Sequence, residues 1–264
     1  MARKINLNSD MGESFGRYKL GNDEALMPLL TAANVACGYH AADPATMRSS
    51  LRLAKQHGVG VGAHISYPDL VGFGRRDMIL SREEVADITV HQIGALWGFC
   101  QAEDVPLEHV KGHGYLGVKS WADEVTLGGI IDGMLSVDPN LILLTTSPFA
   151  VEQCQKAGIP YVAEGYVDLD FTPDGKVMIE KEKQARDPAT MADRAVEMFE
   201  KQQTRAVDGS WIDMPTQSIC IHGDGPNAPE IAAALRERFE AEGIEIVGLR
   251  ELWDGEPGTA QAAE

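Results

Sequence analysis

With 264 residues, 44% of them hydrophobic and 24% charged, the chain is long enough to bury one large core and has the balance of a soluble globular protein. Forty acidic residues against 23 basic ones leave a formal net charge of -17, which repels phosphate backbones and anionic lipid and argues against nucleic acid or membrane as a partner. No segment approaches the ~20 apolar residues of a bilayer span, and Met1 to Asn8 run straight into a strand-like pattern, so a cytoplasmic protein is expected.

In chain order, Ile5 to Asn8 reads as the first strand and Ala33 to Cys37 as the second. Asp43-Pro44 then supplies a side-chain acceptor at N-cap and a proline at the first position of a helix that Gly58 ends. Val59 to Ala63 is the third strand, and Ser81 with Glu84 forms a capping box ahead of a helix reaching about Gln101. His109 to Lys111 and Leu141 to Thr145 follow as strands. Ser147-Pro148 opens a helix closed by Gly158, and Tyr161 to Ala163 is strand six. Thr172-Pro-Asp-Gly-Lys176 is a turn between two short strand-like stretches, which predicts a β-hairpin inserted near 165–183. Asp187-Pro188 starts another helix. Ile219 to Ile221 is strand seven, and Ile244 to Val247, after Gly243, is a weaker eighth run. Residues 254–264 carry little apolar content and are expected to form a flexible tail. Seven or eight strand–helix units predict a parallel sheet covered by helices, closed into a (β/α) barrel over 1–253; an open doubly wound sheet is the alternative.

The polar residues fall in phase with these strands. Asp10 and Glu13 follow the first, His40 the second, His64 the third, His113 the fourth and His222 the seventh. In a (β/α) barrel the C-terminal strand ends form one rim, where barrel enzymes keep their active sites. A lone histidine after a strand is more often a cap or packing residue; six such residues on one rim point to a functional cluster. Gly12, Gly38, Gly112, Gly114, Gly223 and Gly225 flank these positions and allow backbone to approach a ligand closely. No function is assigned to His57, His91 and His109, which are expected to lie away from the rim.

Asp10, His40 and His64 form a set able to hold a divalent metal, although no HExxH-type helix motif is present. Without a metal, a carboxylate and a histidine can act as base and acid on an amide-like carbonyl. Lys111, at a strand end, could bind a carboxylate or polarise a carbonyl, against the default of a salt bridge. Arg75 and Arg76, in Gly72-Phe-Gly-Arg-Arg76, could clamp an anion by paired hydrogen bonds, against the default of pairing with an acidic neighbour. No GxxxxGK[ST] loop is present, so no P-loop for ATP is expected. Cys37, Cys100, Cys154 and Cys220 are widely spaced with no CxxC pair, the pattern of reduced buried thiols. Cys37 and Cys220 lie beside the histidines, and a catalytic thiol is the rarer alternative.

Asn6-Leu-Asn-Ser-Asp-Met-Gly-Glu13, Ala33-Asn-Val-Ala-Cys-Gly-Tyr-His40, Asp43-Pro44, Gly62-Ala-His64 with Tyr67-Pro-Asp69, Gly72-Phe-Gly-Arg-Arg76, Val110-Lys-Gly-His-Gly114 and Cys220-Ile-His-Gly-Asp224 together resemble the LamB/YcsF family, over nearly the whole chain. The resemblance implies a seven-stranded barrel of the glycoside hydrolase/deacetylase type. It also implies opening of the cyclic amide of 5-oxoproline to glutamate, driven by ATP in a complex with B and C subunits. Asp10, Glu13, His40, His64 and His113 would then be catalytic or metal-binding. Lys111, Arg75, Arg76, His222 and Asp224 would meet the substrate. The pattern departs from the family where Ala-Asp-Arg after strand six reads Val167-Asp-Leu169. An arginine after the hairpin is replaced, at best, by Lys181. The middle of the chain is therefore expected to have lost cations from the pocket wall, as a paralogue acting on another lactam would. Two alternatives stand beside this: a metal-dependent deacetylase or amidohydrolase working alone, and a non-catalytic substrate-binding subunit. Homo-oligomerisation is left open.

Overall fold

In the computed structural model, which describes residues 3–178 and 183–253, seven parallel strands close into a barrel. They are β1 (Lys4–Met11), β2 (Ala32–Ala36), β3 (Gly60–Ile65), β4 (Leu107–Gly112), β5 (Ile142–Thr145), β6 (Tyr161–Tyr166) and β7 (Ser218–His222). Each pairs with the next in sequence, and β7 pairs with β1 to complete the ring. Every pairing in the ring is parallel, so the barrel replaces the open-sheet alternative. The eighth run is reduced to β8 (Glu245–Ile246), which adds to the start of β1 at Lys4 and Ile5, outside the ring.

Helix boundaries follow the local chemistry. Asp43 accepts hydrogen bonds from the Ala45 and Thr46 amides and caps Pro44–His57, which ends at Gly58 in the left-handed region. Ser81 and Glu84 form a reciprocal capping box on Arg82–Glu103. Ser147 caps Pro148–Ala157 and Asp187 caps Pro188–Lys201. After β6, Asp170–Phe171 and Val177–Met178 pair antiparallel as a hairpin. Lys181 and the tail 254–264 lie outside the described residues.

Strands shorter in the sequence pattern than in space shift one expectation. Asp10, His64 and Lys111 lie within β1, β3 and β4, and His222 is the last residue of β7. They stand in the ladder itself, held more rigidly than loop residues, because β-branched runs understate how far a barrel strand continues once polar side chains turn inward.

The interior also departs from the branched apolar filling usual in such barrels. Asn6, Asn8, Asn34, His109, Glu164 and Ser218 are all fully buried. They form one hydrogen-bonded column, as buried polar groups must to offset lost hydration. Asn6 accepts from the Ser218 hydroxyl at 2.8 Å, and Ser218 and Glu164 accept from the Asn8 amide at 2.8 and 2.7 Å. The Asn34 amide donates to Asn8 Oδ1 at 2.8 Å. The column rises along the barrel to the carboxylate of Asp10.

Candidate active site

Above this column, side chains from six strand ends meet in one cleft. Glu13, His40, His64 and His113 are buried, and one ligand atom from each lies within 4.8 Å of the other three. Glu13 Oε1 is 3.0 Å from His40 Nε2, 3.4 Å from His113 Nδ1 and 4.0 Å from His64 Nε2. His113 Nδ1 is 3.0 Å from His64 Nε2. The His113 Nε2–H donates to the Phe73 carbonyl at 2.9 Å, which leaves Nδ1 bare and facing inward. Gly74 makes this possible: a Cβ there would sit 2.9 Å from the His113 ring and 3.1 Å from His40 Cβ.

Asp10 sits beside this set with its two oxygens differently engaged. Oδ1 accepts from Lys111 Nζ and from the Asn34 amide, both at 3.0 Å. Oδ2 faces His64 Nε2 at 3.3 Å and His222 Nε2 at 3.8 Å. Burial alone would raise its pKa, but the charges of His64 and Lys111 outweigh burial and hold it well below the usual carboxylate range. Glu13 goes the other way. Burial foremost, then the charge of Asp10, pushes its pKa to about 8. Burial likewise depresses His40 and His113, with neighbouring imidazoles adding to it, so both are neutral.

His222 completes the group. Its Nδ1–H donates to Asp168 Oδ1 at 2.9 Å while its backbone N–H donates to Asp168 Oδ2 at 3.0 Å. Nε2 thus faces the cleft side, 3.8 Å from Asp10 Oδ2. The cleft runs from Asp10, His64 and His113 past Val118, Trp121, Tyr166 and Leu169 to Arg75 and Lys183 at its mouth. Arg75 Nη2 and Lys183 Nζ bracket Asp224, at 3.0 and 2.6 Å from its two oxygens.

The structure therefore brings together Asp10, Glu13, His40, His64, His113, His222, Arg75 and Asp224, and corrects several expectations. Arg76 turns away to an ion pair with Asp69 and is largely exposed. Lys111 lines the cleft but is buried, donating to Asp10 Oδ1 at 3.0 Å and to Cys220 Sγ at 2.9 Å and pairing with Glu164 at 3.1 Å. Its charge is balanced by the carboxylates of the floor. Cys220 and Cys37 are buried, and burial pushes both thiols up, so neither is a thiolate. His109 lies inside the barrel beneath Asp10, whereas His57 and His91 sit on helices outside it. The middle of the chain keeps a cation at the cleft in Lys183.

Two groups could hold a metal: His40 and His64 stand with Glu13 and His113, and Asp10 stands with Cys220 and His222. About 2.0–2.1 Å from a tetrahedral zinc-like ion, four N and O donors stand ~3.4 Å apart; four of the six spacings in the first group are 3.0–4.0 Å and all are within 4.8 Å. The residues fit a divalent ion of the first transition row.

Asp168, Glu164 and Lys183 contact the clustered residues but are not singled out by the sequence pattern. Asp168 follows β6 as directly as His40 follows β2, so the same strand-end rule finds it once β6 is extended to Tyr166. Glu164 is hidden because the apolar run stops at Ala163. For Lys183 the sequence gives no local signal.

A parallel barrel with four carboxylates, four histidines and the cations Arg75 and Lys183 gathered at one strand-end rim has the build of a barrel enzyme. Residues 5–253 match the LamB/YcsF family, and the chain belongs to that family. A relative from Thermococcus sibiricus, named as the A subunit of 5-oxoprolinase, is 44% identical over 252 residues, covering 94% of this chain and 99% of its own. The solved lactam utilization protein from Thermus thermophilus superposes with a TM-score of 0.83 at 40% identity, over 93% of this chain and 99% of its own. An Enterococcus faecalis protein named for cellobiose-phosphate cleavage shares the fold alone, at 11% identity and TM-score 0.57, over 96% of this chain and all of its own. Among the described residues no helix is long and apolar enough to cross a membrane.

Proposed function

We propose that this chain is the lactam-opening subunit of a 5-oxoprolinase-type complex, adding water across the cyclic amide of 5-oxoproline, or a close relative, to give the open amino acid. B and C partner subunits carry the ATP chemistry, in keeping with the absence of a GxxxxGK[ST] loop from this sequence. The observation that carries this is the Asp168–His222 pair facing Asp10 across a cleft whose mouth holds Arg75 and Lys183.

His222 Nε2 takes a proton from the attacking water and returns it to the ring nitrogen as the C–N bond breaks, with Asp168 fixing its tautomer and stabilising the imidazolium. Asp10 remains ionised and orients that water from Oδ2. Arg75 and Lys183 bind the substrate carboxylate at the mouth. Glu13, neutral below about pH 8, offers a further proton towards the same space. A divalent ion, when bound, would be held by Glu13, His40, His64 and His113 and would supply Lewis-acid polarisation of the amide carbonyl; Glu13 would then be an anionic ligand.

Reconstitution with the B and C subunits tests this: 5-oxoproline and ATP should give glutamate, and omission of any one component should abolish it. Robust ATP-dependent turnover by this chain alone would overturn the division of labour. The four-ligand set favours one second reading, a metal-dependent amidohydrolase acting alone, which predicts ATP-independent amide cleavage by the metal-loaded chain.

A further inference from the structure

Asp10 is divided by its surroundings. Oδ2 looks into the cleft, while Oδ1 is held from below by Lys111 and by the Asn34 amide. Asn34 spends both amide hydrogens at once, one on Asp10 Oδ1 at 3.0 Å and one on Asn8 Oδ1 at 2.8 Å. Its own Oδ1 lies 2.8 Å from His109 Nε2. Turning the Asn34 amide over would set its oxygen against two acceptors, Asp10 and Asn8, so only one orientation is satisfied. In that orientation His109 Nε2 must carry a hydrogen and donate it.

The rest of the barrel makes room for this imidazole. Gly62, its register partner on β3, would place a Cβ 2.1 Å from the His109 ring, so any side chain there would expel it. Burial, then the charge of Lys111, depresses the His109 pKa to about 3, so the ring stays neutral at all working pH values. An apolar residue would fill the space at lower desolvation cost.

We infer that His109 is a positioning residue for Asp10: its Nε2–H locks the Asn34 amide, and Asn34 in turn locks the carboxylate so that Oδ2 alone faces the reacting water. This rests on the proposed role of Asp10. Because His109 acts through one neighbour, its contribution vanishes when that neighbour is removed.

The test uses the full complex with four variants: His109→Leu, His109→Gln, Asn34→Ala and the His109→Leu/Asn34→Ala double. Removing a partner that orients a metal-bound side chain typically costs about 10–100-fold in metal affinity or activity, and a loss of the same order is expected for a partner that orients Asp10. His109→Leu should lower kcat by that range with KM nearly unchanged, and His109→Gln, which keeps an N–H donor, should restore most of it. The double variant should be no slower than Asn34→Ala, since residues acting in series do not add. Turnover of His109→Leu within twofold of wild type, losses that multiply in the double, or a rise in KM alone would overturn the inference. Crystal structures of wild type, His109→Leu and His109→Gln give a readout independent of any substrate. Asn34 should shift from its place and the Asp10 carboxylate rotate with it in the leucine variant only; an unmoved pair would equally sink the idea, even if the complex opens no lactam.

Discussion

Asp168 holds His222 at two points, side chain to side chain at 2.9 Å and through the His222 backbone N–H at 3.0 Å. One carboxylate thereby sets both the tautomer of the ring and the place where β7 ends. Asp168→Asn can present its NH2 to Nδ1, which favours the wrong tautomer and moves the proton to Nε2. Loss of a positioned general base costs about 10²–10⁴-fold. Asp168→Asn and His222→Gln should each lower kcat by that amount in the reconstituted complex, measured by glutamate release. If the complex with His222→Gln kept wild-type kcat, the base would have to be sought elsewhere.

The same carboxylate links stability to acid. Burial alone would raise its pKa, but His222 and Lys183 outweigh burial and depress it. A folded-state pKa below the ordinary value of about 3.9 means that the unfolded chain takes up the proton first as pH falls. The stabilisation is present above that value and is lost progressively below it. Asp168→Asn should therefore be less stable than wild type at neutral pH, with the gap closing in acid. Urea midpoints from about pH 7 down to 3 would follow this. A gap that stays constant would show that the pairs contribute nothing through charge.

Much of this architecture was legible in the sequence, and the failures share a cause. Asp43-Pro44, Ser81 with Glu84 and Ser147-Pro148 each set a helix start by local chemistry alone, so they read correctly. The strand-end rule finds Asp10, His40, His64, His113 and His222, because parallel strands in a closed ring must point their ends the same way. What misleads is polar filling. Asn8, Asn34, His109 and Glu164 point into the barrel, where apolar residues are the usual occupants. Glu164 makes β6 look short, and His109 reads as an ordinary strand residue apart from the site. Arg75 and Arg76 are adjacent and chemically alike; only the fold of Gly72 to Gly74 decides that one faces the cleft and the other Asp69.

Metal binding separates the two ligand sets. If Glu13, His40, His64 and His113 hold the ion, protein prepared without chelator should carry about one equivalent of a zinc-like metal. His40→Ala and His113→Ala should lose it, while Asp10→Asn should keep it. Stripping the ion should lower the melting temperature of wild type but not of His113→Ala, since a ligand that binds only the folded state stabilises it. Elemental analysis and thermal unfolding report on this without any activity assay. Retention of metal by His113→Ala together with its loss from Asp10→Asn would restore Asp10 to the ligand set.

At the mouth, Arg75 and Lys183 share Asp224, and both line the cleft. A substrate carboxylate entering there meets two cations already fixed in place, so little side-chain entropy is lost on binding. Neither cation bonds the His222 ring, and Lys183 reaches Asp168 Oδ2 only at 3.8 Å, beyond hydrogen-bond range, so removing one should weaken binding more than chemistry. A hydrogen bond to a charged group contributes about 1.5–3 kcal/mol, which corresponds to a rise in KM of roughly 10–100-fold for Arg75→Gln or Lys183→Met, with kcat changed far less. Arg76→Ala should leave KM within about twofold of wild type, because its partner Asp69 lies outside the cleft and also holds the Gly72 amide. Steady-state kinetics of the three variants, with 5-oxoproline and with the uncharged lactam 2-pyrrolidinone, distinguish the cases. The uncharged lactam should be used poorly by wild type and should not lose further ground in Arg75→Gln or Lys183→Met. An Arg76→Ala variant that raised KM as much as Arg75→Gln would place the anion clamp on the outer loop.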